Sequence, residues 1–184
     1  MLTLYIILGA LALVILWLIF AYNGLVRLSQ QAQEAESDID VQLKRRFDLI
    51  PNLLETVKGY AAHERHTLEQ VTAARTRFLA AKNTKEQIAA NDMLSNTLKT
   101  LFAVSENYPD LKANANFLDL QRELADTENK IQAARRFYNA NVRDLNIRIE
   151  SFPTNLVVNV FGFQKREFFE VEATAEREPV KVRF

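Results

Sequence analysis

The chain has 184 residues, in which 23 Lys and Arg residues balance 23 Asp and Glu residues, and it contains no cysteine. A neutral chain without a basic helix or an aromatic RNA-binding motif lacks the attraction that nucleic acid requires, so no nucleic-acid partner is expected. The absence of cysteine excludes disulfides, thiol catalysis and cysteine-ligated metal centres. This length allows one apolar anchor and one further domain.

The N-terminal segment is the first predicted element. Residues 1–26 carry no charged side chain, and residues 2–20 are almost all aliphatic or aromatic. A helix of about 20 apolar residues crosses the hydrocarbon core of a bilayer. The alternatives are a buried core helix and a cleaved signal peptide, although the latter requires a basic start and a shorter apolar run. We predict a transmembrane anchor over residues 1–24, with residues 2–22 in the lipid bilayer.

Basic residues that flank the anchor predict its orientation. Arg27 and the more distant Lys44, Arg45 and Arg46 follow the span, whereas only the α-amino group precedes it. The positive-inside rule therefore places the domain on the cytoplasmic side.

Beyond the anchor, apolar residues recur every three or four positions from Leu25 to Ala61, which predicts that the helix continues outward. Pro51 predicts a kink or a short break. A second helix is predicted over residues 52–81, with Gly59 as its weak point.

The remaining bundle helices follow the same periodicity. Thr84 and Gln87 have capping-box spacing and predict the start of a third helix, which Pro109 follows. A last helix with a regular apolar stripe is predicted up to Pro153. The predicted fold is all-α, with one transmembrane helix continuing into an elongated antiparallel helical bundle over residues 25–153.

Residues 154–184 form an aromatic-rich C-terminal segment. A short helix that Gly162 ends is predicted at its start, and Val180, Val182 and Phe184 alternate with basic residues like an extended edge. The segment folds back on its own bundle, docks on a neighbouring subunit or meets lipid. The candidate oligomer contact consists of Leu156, Phe161, Phe163, Phe168 and Phe169.

The densest group of charges lies beside the predicted break. Acids and bases alternate there with apolar stripe positions, which is typical of a solvated face or of ion pairs between helices. Recognition of a partner is the other interpretation. The candidate interaction surface consists of Asp38, Asp40, Lys44, Arg45, Arg46 and Asp48.

His63 and His66 are the two histidines of the chain. Their spacing is one residue shorter than the H-E-x-x-H zinc signature, and a solvated polar face is the alternative to a metal site. No phosphate-binding glycine loop or serine-nucleophile motif occurs. No catalytic residue, bound metal or cofactor is therefore predicted, and a metal-dependent enzyme or sensor using both histidines is the second hypothesis.

Two long motifs resemble the LemA family of bacterial membrane proteins. The first is SDIDVQLKRRFDLIPNL over residues 37–53, followed by TVKGYA over residues 56–61 and HE at 63–64. The second comprises YN at 138–139, IESFP at 149–153, NLV at 155–157, FGF at 161–163 and FFE at 168–170. Glu36 departs from the family, which often has an aromatic residue there.

The resemblance implies a single-pass protein of the bacterial cytoplasmic (inner) membrane, with a short external N-terminus, a cytoplasmic helical bundle and no established catalytic residues. A magnetosome-forming branch of the family implies work on membranes. We therefore predict a non-catalytic structural or scaffolding protein that forms homo-oligomers at the membrane, with other membrane proteins as further partners. A sensor with a ligand pocket is a third hypothesis.

Overall fold

The computed structural model describes residues 1–61 and 63–169, and these form helices joined by turns, with one extended segment at the end. The predicted all-α class is confirmed. Predictions on Glu170, Val180, Val182 and Phe184 lie outside the described residues. The helices are α1 Leu2–Asp48, α2 Ile50–Lys58, α3 Arg65–Ala80, α4 Thr84–Ser105, α5 Pro109–Lys112, α6 Ala115–Glu150 and α7 Thr154–Phe161.

Helix α1 joins the apolar N-terminal segment to the bundle without an interruption over its 47 residues. It is long and apolar enough to cross a membrane, and only 6% of its most apolar stretch is buried in the protein. The predicted boundary at residue 24 falls inside this helix. The predicted break is confirmed, because α1 ends at Asp48 and Pro51 lies in the first turn of α2, where a missing amide hydrogen costs no helical bond.

The single helix predicted over residues 52–81 is wrong, because the chain leaves the helix after Lys58 and re-enters it at Arg65. The amides of Tyr60 and Ala61 both donate to the carbonyl of Val57, at 3.0 and 2.8 Å, so the last turn tightens and closes. Gly59, the C-cap residue, has the low helix propensity that allows an end at this position.

The start of α4 also differs from the prediction by one residue. Asn83, rather than Thr84, is the N-cap, and its Oδ1 accepts a 2.9 Å hydrogen bond from the amide of Glu86. The Glu86 carboxylate in turn accepts from the amide of Lys82 at 2.8 Å. The N-cap side chain thus satisfies a free amide of the first turn, and the carboxylate three residues later satisfies the amide that precedes the cap.

Two hydrophobic cores follow one another along the bundle. We call residues 47–124 the distal region; its core joins α2, α3, α4 and α5 to the end of α1 and the start of α6. The core of the proximal region, residues 21–43 and 131–169, pairs α1 with the second half of α6 and with α7, and Ile88 of α4 also belongs to it. Helices α1 and α6 are antiparallel, since Ala21 and Ile149 share one core whereas Phe47 and Phe117 share the other.

Candidate functional site

A layer of polar side chains separates the two cores, and we call it the polar layer; it consists of Arg46, Asn91, Ser95 and Glu128. Arg46 is only 3% exposed. Its Nη1 donates to Asn91 Oδ1 at 2.5 Å, to Ser95 Oγ at 2.9 Å and to the carboxylate of Glu128. The layer therefore ties α1, α4 and α6 together at one level of the bundle.

Glu128 receives several further donors. Its Oε2 lies 3.3 Å from the donating Asn91 Nδ2 and 3.1 Å from the Ser95 hydroxyl, and Gln132 donates to Oε1 at 3.0 Å. Two turns after Glu128 on α6, Arg135 Nη2 donates to Asp92 Oδ1 at 2.9 Å, which adds a second link between α4 and α6. A buried charge is tolerated when it is paired and its lone pairs are satisfied in this way.

Burial and the opposite charge both shift the pKa values of Arg46 and Glu128. Burial lowers the pKa of Arg46 although the Glu128 charge acts in the opposite direction. For Glu128, burial alone would raise the pKa, but the Arg46 charge and the hydrogen bonds of Gln132, Asn91 and Ser95 outweigh it and lower the pKa. Arg46 stays protonated at physiological pH, because the ordinary pKa of a guanidinium lies far above that range. The layer is thus a stable, charged cross-link.

Two clefts lie outside the polar layer itself. A groove of about 920 Å³ runs along α3 past Leu68 and Ala73, and a cleft of about 710 Å³ lies between α4 and the extended C-terminal segment, next to Phe168. Neither groove is lined by Arg46, Asn91 or Glu128. The guanidinium of Arg46 is buried and the Glu128 side chain is 23% exposed, an arrangement that suits a cross-link between helices.

The extended segment, residues 163–169, is bound along α1 and α6, and we call it the strap. Asn146 donates to the carbonyl of Arg166 at 2.9 Å and accepts from its amide at 3.1 Å. Asn139 holds Phe169 in the same two-bond manner, at 2.9 Å for both bonds. Seven helical residues and three extended residues both span roughly 10 Å, so the two asparagines match the strap in register.

Side chains add to this attachment. Arg166 donates to Glu36 at 3.0 Å and to Gln33 at 2.7 Å on α1, and the Tyr138 hydroxyl donates to the carbonyl of Glu167 at 3.1 Å. The ring centroids of Phe169 and Tyr138 are 4.5 Å apart. The strap therefore covers a side of the proximal core that the long helices α1 and α6 leave open.

The structure divides the predicted oligomer contact. Phe163 and Phe169 pack against the proximal core of their own chain. Leu156, Phe161 and Phe168 remain 56%, 57% and 49% exposed, respectively. The end of the short helix is as predicted, because Gly162 takes the left-handed conformation with φ of 73° and stops α7.

The predicted interaction surface needs one correction. Asp38, Lys44, Arg45 and Asp48 are exposed and Asp40 is half-buried, where burial is the main cause that raises its pKa. Arg46 is buried and belongs to the polar layer, so it is not part of any surface. Its position explains this, because Arg46 lies three residues after Leu43 and four before Ile50, on the apolar stripe itself.

Both histidines are exposed, and His66 Nε2 lies 3.0 Å from the side-chain nitrogen of Gln70. Within residues 1–61 and 63–169, no group of three His, Asp or Glu side chains is arranged to hold a metal ion. His63 and His66 are therefore not joined there by a third ligand.

Sequence reasoning missed five residues that shape these sites: Asn91, Ser95, Glu128, Asn139 and Asn146. A usable signal existed for Glu128, which lies between the stripe positions Leu124 and Ile131. A charged side chain at such a position requires a buried partner. The asparagines carry no comparable signal, because the register of the strap is set only by the folded chain.

An apolar helix able to cross a membrane, continued into a helical bundle with an internal ion pair, defines a class of membrane-associated helical proteins. The chain belongs to the LemA family, whose profile matches residues 35–184. Protein LemA of Metamycoplasma hominis is 31% identical over 163 residues, which cover 82% of this chain and 72% of that protein.

Two magnetosome proteins are also similar. MamQ 2 of Paramagnetospirillum magneticum is 25% identical over 179 residues, and MamQ of Magnetospirillum gryphiswaldense is 24% identical over 178 residues. Each alignment covers 83% of this chain, but only 66% and 65% of the respective relative. The chain thus spans somewhat less than two thirds of the length of these magnetosome proteins.

Proposed function

We propose that this protein is a non-catalytic scaffold of the bacterial cytoplasmic membrane, anchored by residues 2–22, with its bundle in the cytoplasm. The observation that carries the proposal is helix α1, whose lipid-compatible part runs directly into the bundle. Membership of the LemA family supports a membrane-associated role, as do the relatives that are named magnetosome proteins.

The way in which polar groups are used supports a structural role over an enzymatic one. The most buried charge, Arg46, is engaged by Asn91, Ser95 and Glu128, and these contacts hold helices together. A catalytic acid or base needs access to a substrate in a cleft. The clefts beside Leu68 and beside Phe168 are not lined by Arg46, Asn91 or Glu128, which supports a structural role for the layer.

Two exposed features are candidates for assembly. Lys44 and Arg45 lie with Asp38 and Asp48 on the outer side of α1, where they provide a charged surface for another membrane protein. Phe168 is half-exposed at the rim of the cleft beside α4, where it provides an apolar contact for a second copy of the chain. Anchoring in one plane raises the effective concentration of copies, so that weak contacts accumulate.

Charge reversal tests the surface on α1. Lys44→Glu with Arg45→Glu is expected to shrink the complexes that native gels resolve from gently solubilised membranes, because opposite charges replace the recognised ones. The matched control, Lys99→Glu with Arg136→Glu, changes the charge equally at two other exposed positions. Complexes of unchanged size in the Lys44 and Arg45 variant would refute this part of the proposal.

Phe168→Ser tests the contact between copies. We expect the variant to shift towards smaller species in light scattering of the detergent-solubilised full-length protein, because it loses the burial of one aromatic ring, about 2 kcal/mol per contact. Leu79→Ser is the control, since Leu79 is also exposed but lies on α3. An equal effect of both variants would show that general surface apolarity, and not this contact, drives association.

A further inference from the structure

Helix α7 and its flanks carry an apolar surface that the bundle leaves uncovered. Residues 151–164 contain no charged side chain. One side of α7 is buried through Thr154, Val157 and Val158. On the other side, large apolar side chains face outward: Leu156 is 56% exposed, Val160 77% and Phe161 57%, and Phe152 just before the helix is 80% exposed.

The position of this surface is set by contacts with the start of the bundle. The Phe161 ring centroid lies 4.8 Å from that of Tyr22. Val157 and Val158 belong to the same core as Ala21, and Trp17 packs against that core from within the apolar segment of α1. Helix α7 therefore lies at the level where the lipid-compatible part of α1 ends.

We propose that α7 is a second membrane contact, lying along the bilayer surface with Leu156, Val160 and Phe161 inserted among the lipid chains. The inference rests on the proposed membrane anchoring by residues 2–22. Interfacial helices bury their apolar side about 5 to 10 Å into the boundary between headgroups and acyl chains. The polar side chain of Asn159 then remains at the headgroups, and the first charges, Lys165 and Arg166, leave the membrane with the strap.

The bilayer, and not a second copy of the chain, is the occupant because the surface continues the lipid-facing surface of α1. Large apolar side chains are exposed along residues 1–20 and again at Tyr22, which contacts Phe161. A partner protein at this site would have to occupy the same level as the lipid headgroups.

Site-directed spin labelling tests the inference, and the natural lack of cysteine makes single labels straightforward. Full-length Val160→Cys, Val14→Cys and Leu79→Cys are each labelled with a nitroxide and reconstituted into phosphatidylcholine and phosphatidylglycerol vesicles. Val14 reports on the anchor, and Leu79, 65% exposed on α3, reports on a site in water. Collision with oxygen, which concentrates in lipid, is compared with collision with a water-soluble nickel chelate.

We expect the ratio of oxygen to nickel accessibility at residue 160 to resemble that at residue 14 and to exceed that at residue 79 several-fold. A label at 160 that resembles the one at 79, with residue 14 in lipid, would overturn the inference and leave the anchor intact. A label at 160 shielded from both reagents would overturn it in favour of a subunit contact. Aqueous behaviour at both 14 and 160 would reject the anchor and the inference together.

Discussion

The distal and proximal regions cover their hydrophobic cores in different ways. In the distal region, parts of six helices surround one core, so apolar side chains such as Leu53, Leu94 and Leu101 are fully enclosed. The proximal core lies mainly between α1 and α6, and it is completed by Ile88 of α4, by α7 and by a strap held through asparagine side chains.

The difference shows that two packed helices cannot cover all of their apolar side chains by themselves. Two packed helices bury one row of apolar side chains between them. The side chains at the two edges of that row stay in contact with water unless another part of the chain packs over them. Where several helices meet, as in the distal region, side-chain packing alone provides that cover. Where two meet, the chain returns and adds an extended segment, whose backbone groups must be hydrogen-bonded because no helix or sheet satisfies them. Asn139 and Asn146 supply those bonds.

The largest expected effect comes from breaking the polar layer between the two regions. Glu128→Ala leaves the guanidinium of Arg46 buried without its carboxylate, which is expected to cost about 3 to 5 kcal/mol of unfolding free energy. Chemical denaturation of the full-length protein in detergent micelles, followed by circular dichroism, measures this cost. The control is Glu123→Ala, which removes the partner of half-exposed Arg45 and is expected to cost about 1 kcal/mol or less.

A double variant sharpens this test. Arg46→Met with Glu128→Leu removes both charges, so a large part of the lost stability is expected to return, because a buried ion pair is often replaced by apolar side chains at little cost. Asn91 and Ser95 keep their polar groups, which limits the recovery. A double variant as unstable as Glu128→Ala would show that shape, and not the unpaired charge, causes the loss.

The next effect separates the strap from the rest of the proximal region. Asn139→Ala removes two hydrogen bonds to Phe169, each with a net value of about 0.5 to 1.5 kcal/mol, and is expected to open the strap locally. Hydrogen exchange at Arg166 and Phe169 should accelerate about tenfold for each 1.4 kcal/mol. Asn141→Ala is the control on the same helix, since among residues 1–61 and 63–169 the Asn141 side chain bonds within α6, to the carbonyl of Phe137. Faster exchange throughout the distal core would mean that the strap is not a separate unit.

The smallest effect is the pH dependence of the polar layer. The pKa of Glu128 is lowered in the folded protein from its usual 4.5, so its contribution to stability is present above the unfolded value and is lost as the pH falls through the folded value. Unfolding free energy measured from pH 5 downward should therefore decline. The decline should be shallower in Glu128→Gln, whereas Glu123→Gln should follow the wild-type curve. Identical slopes for the two variants would contradict the assignment.

Features that depend on local sequence were predictable. The apolar stripe of α1, the break at Pro51 and the end of α7 at Gly162 each follow from periodicity or from the backbone preference of one residue. The end of α2 was harder, because Gly59 weakens a helix without forcing it to stop. The choice of Asn83 over Thr84 as the cap was equally local, but both are good N-cap residues.

Long-range pairings were not predictable in the same way. Arg46 could be placed on the apolar stripe, yet its partner Glu128 lies 82 residues further along the chain, and only the packing of α1 against α6 selects it. The same holds for the strap, whose asparagines serve residues 20 and 30 positions later. Periodicity predicts which side of a helix is buried, but only the folded structure shows which residues pack against that side.

Because α1 is continuous, the direction of its apolar N-terminal part fixes the direction of its C-terminal part in the bundle. No linker separates Tyr22 from Asp48, and 26 helical residues extend roughly 39 Å. Transmembrane helices in known structures are tilted by about 20° on average, and a change of tilt of that size would move the far end of α1 sideways by roughly 13 Å. With residues 2–22 anchored as proposed, the position of the distal region relative to the membrane would thus depend on the tilt of α1, and through the tilt on the thickness of the bilayer.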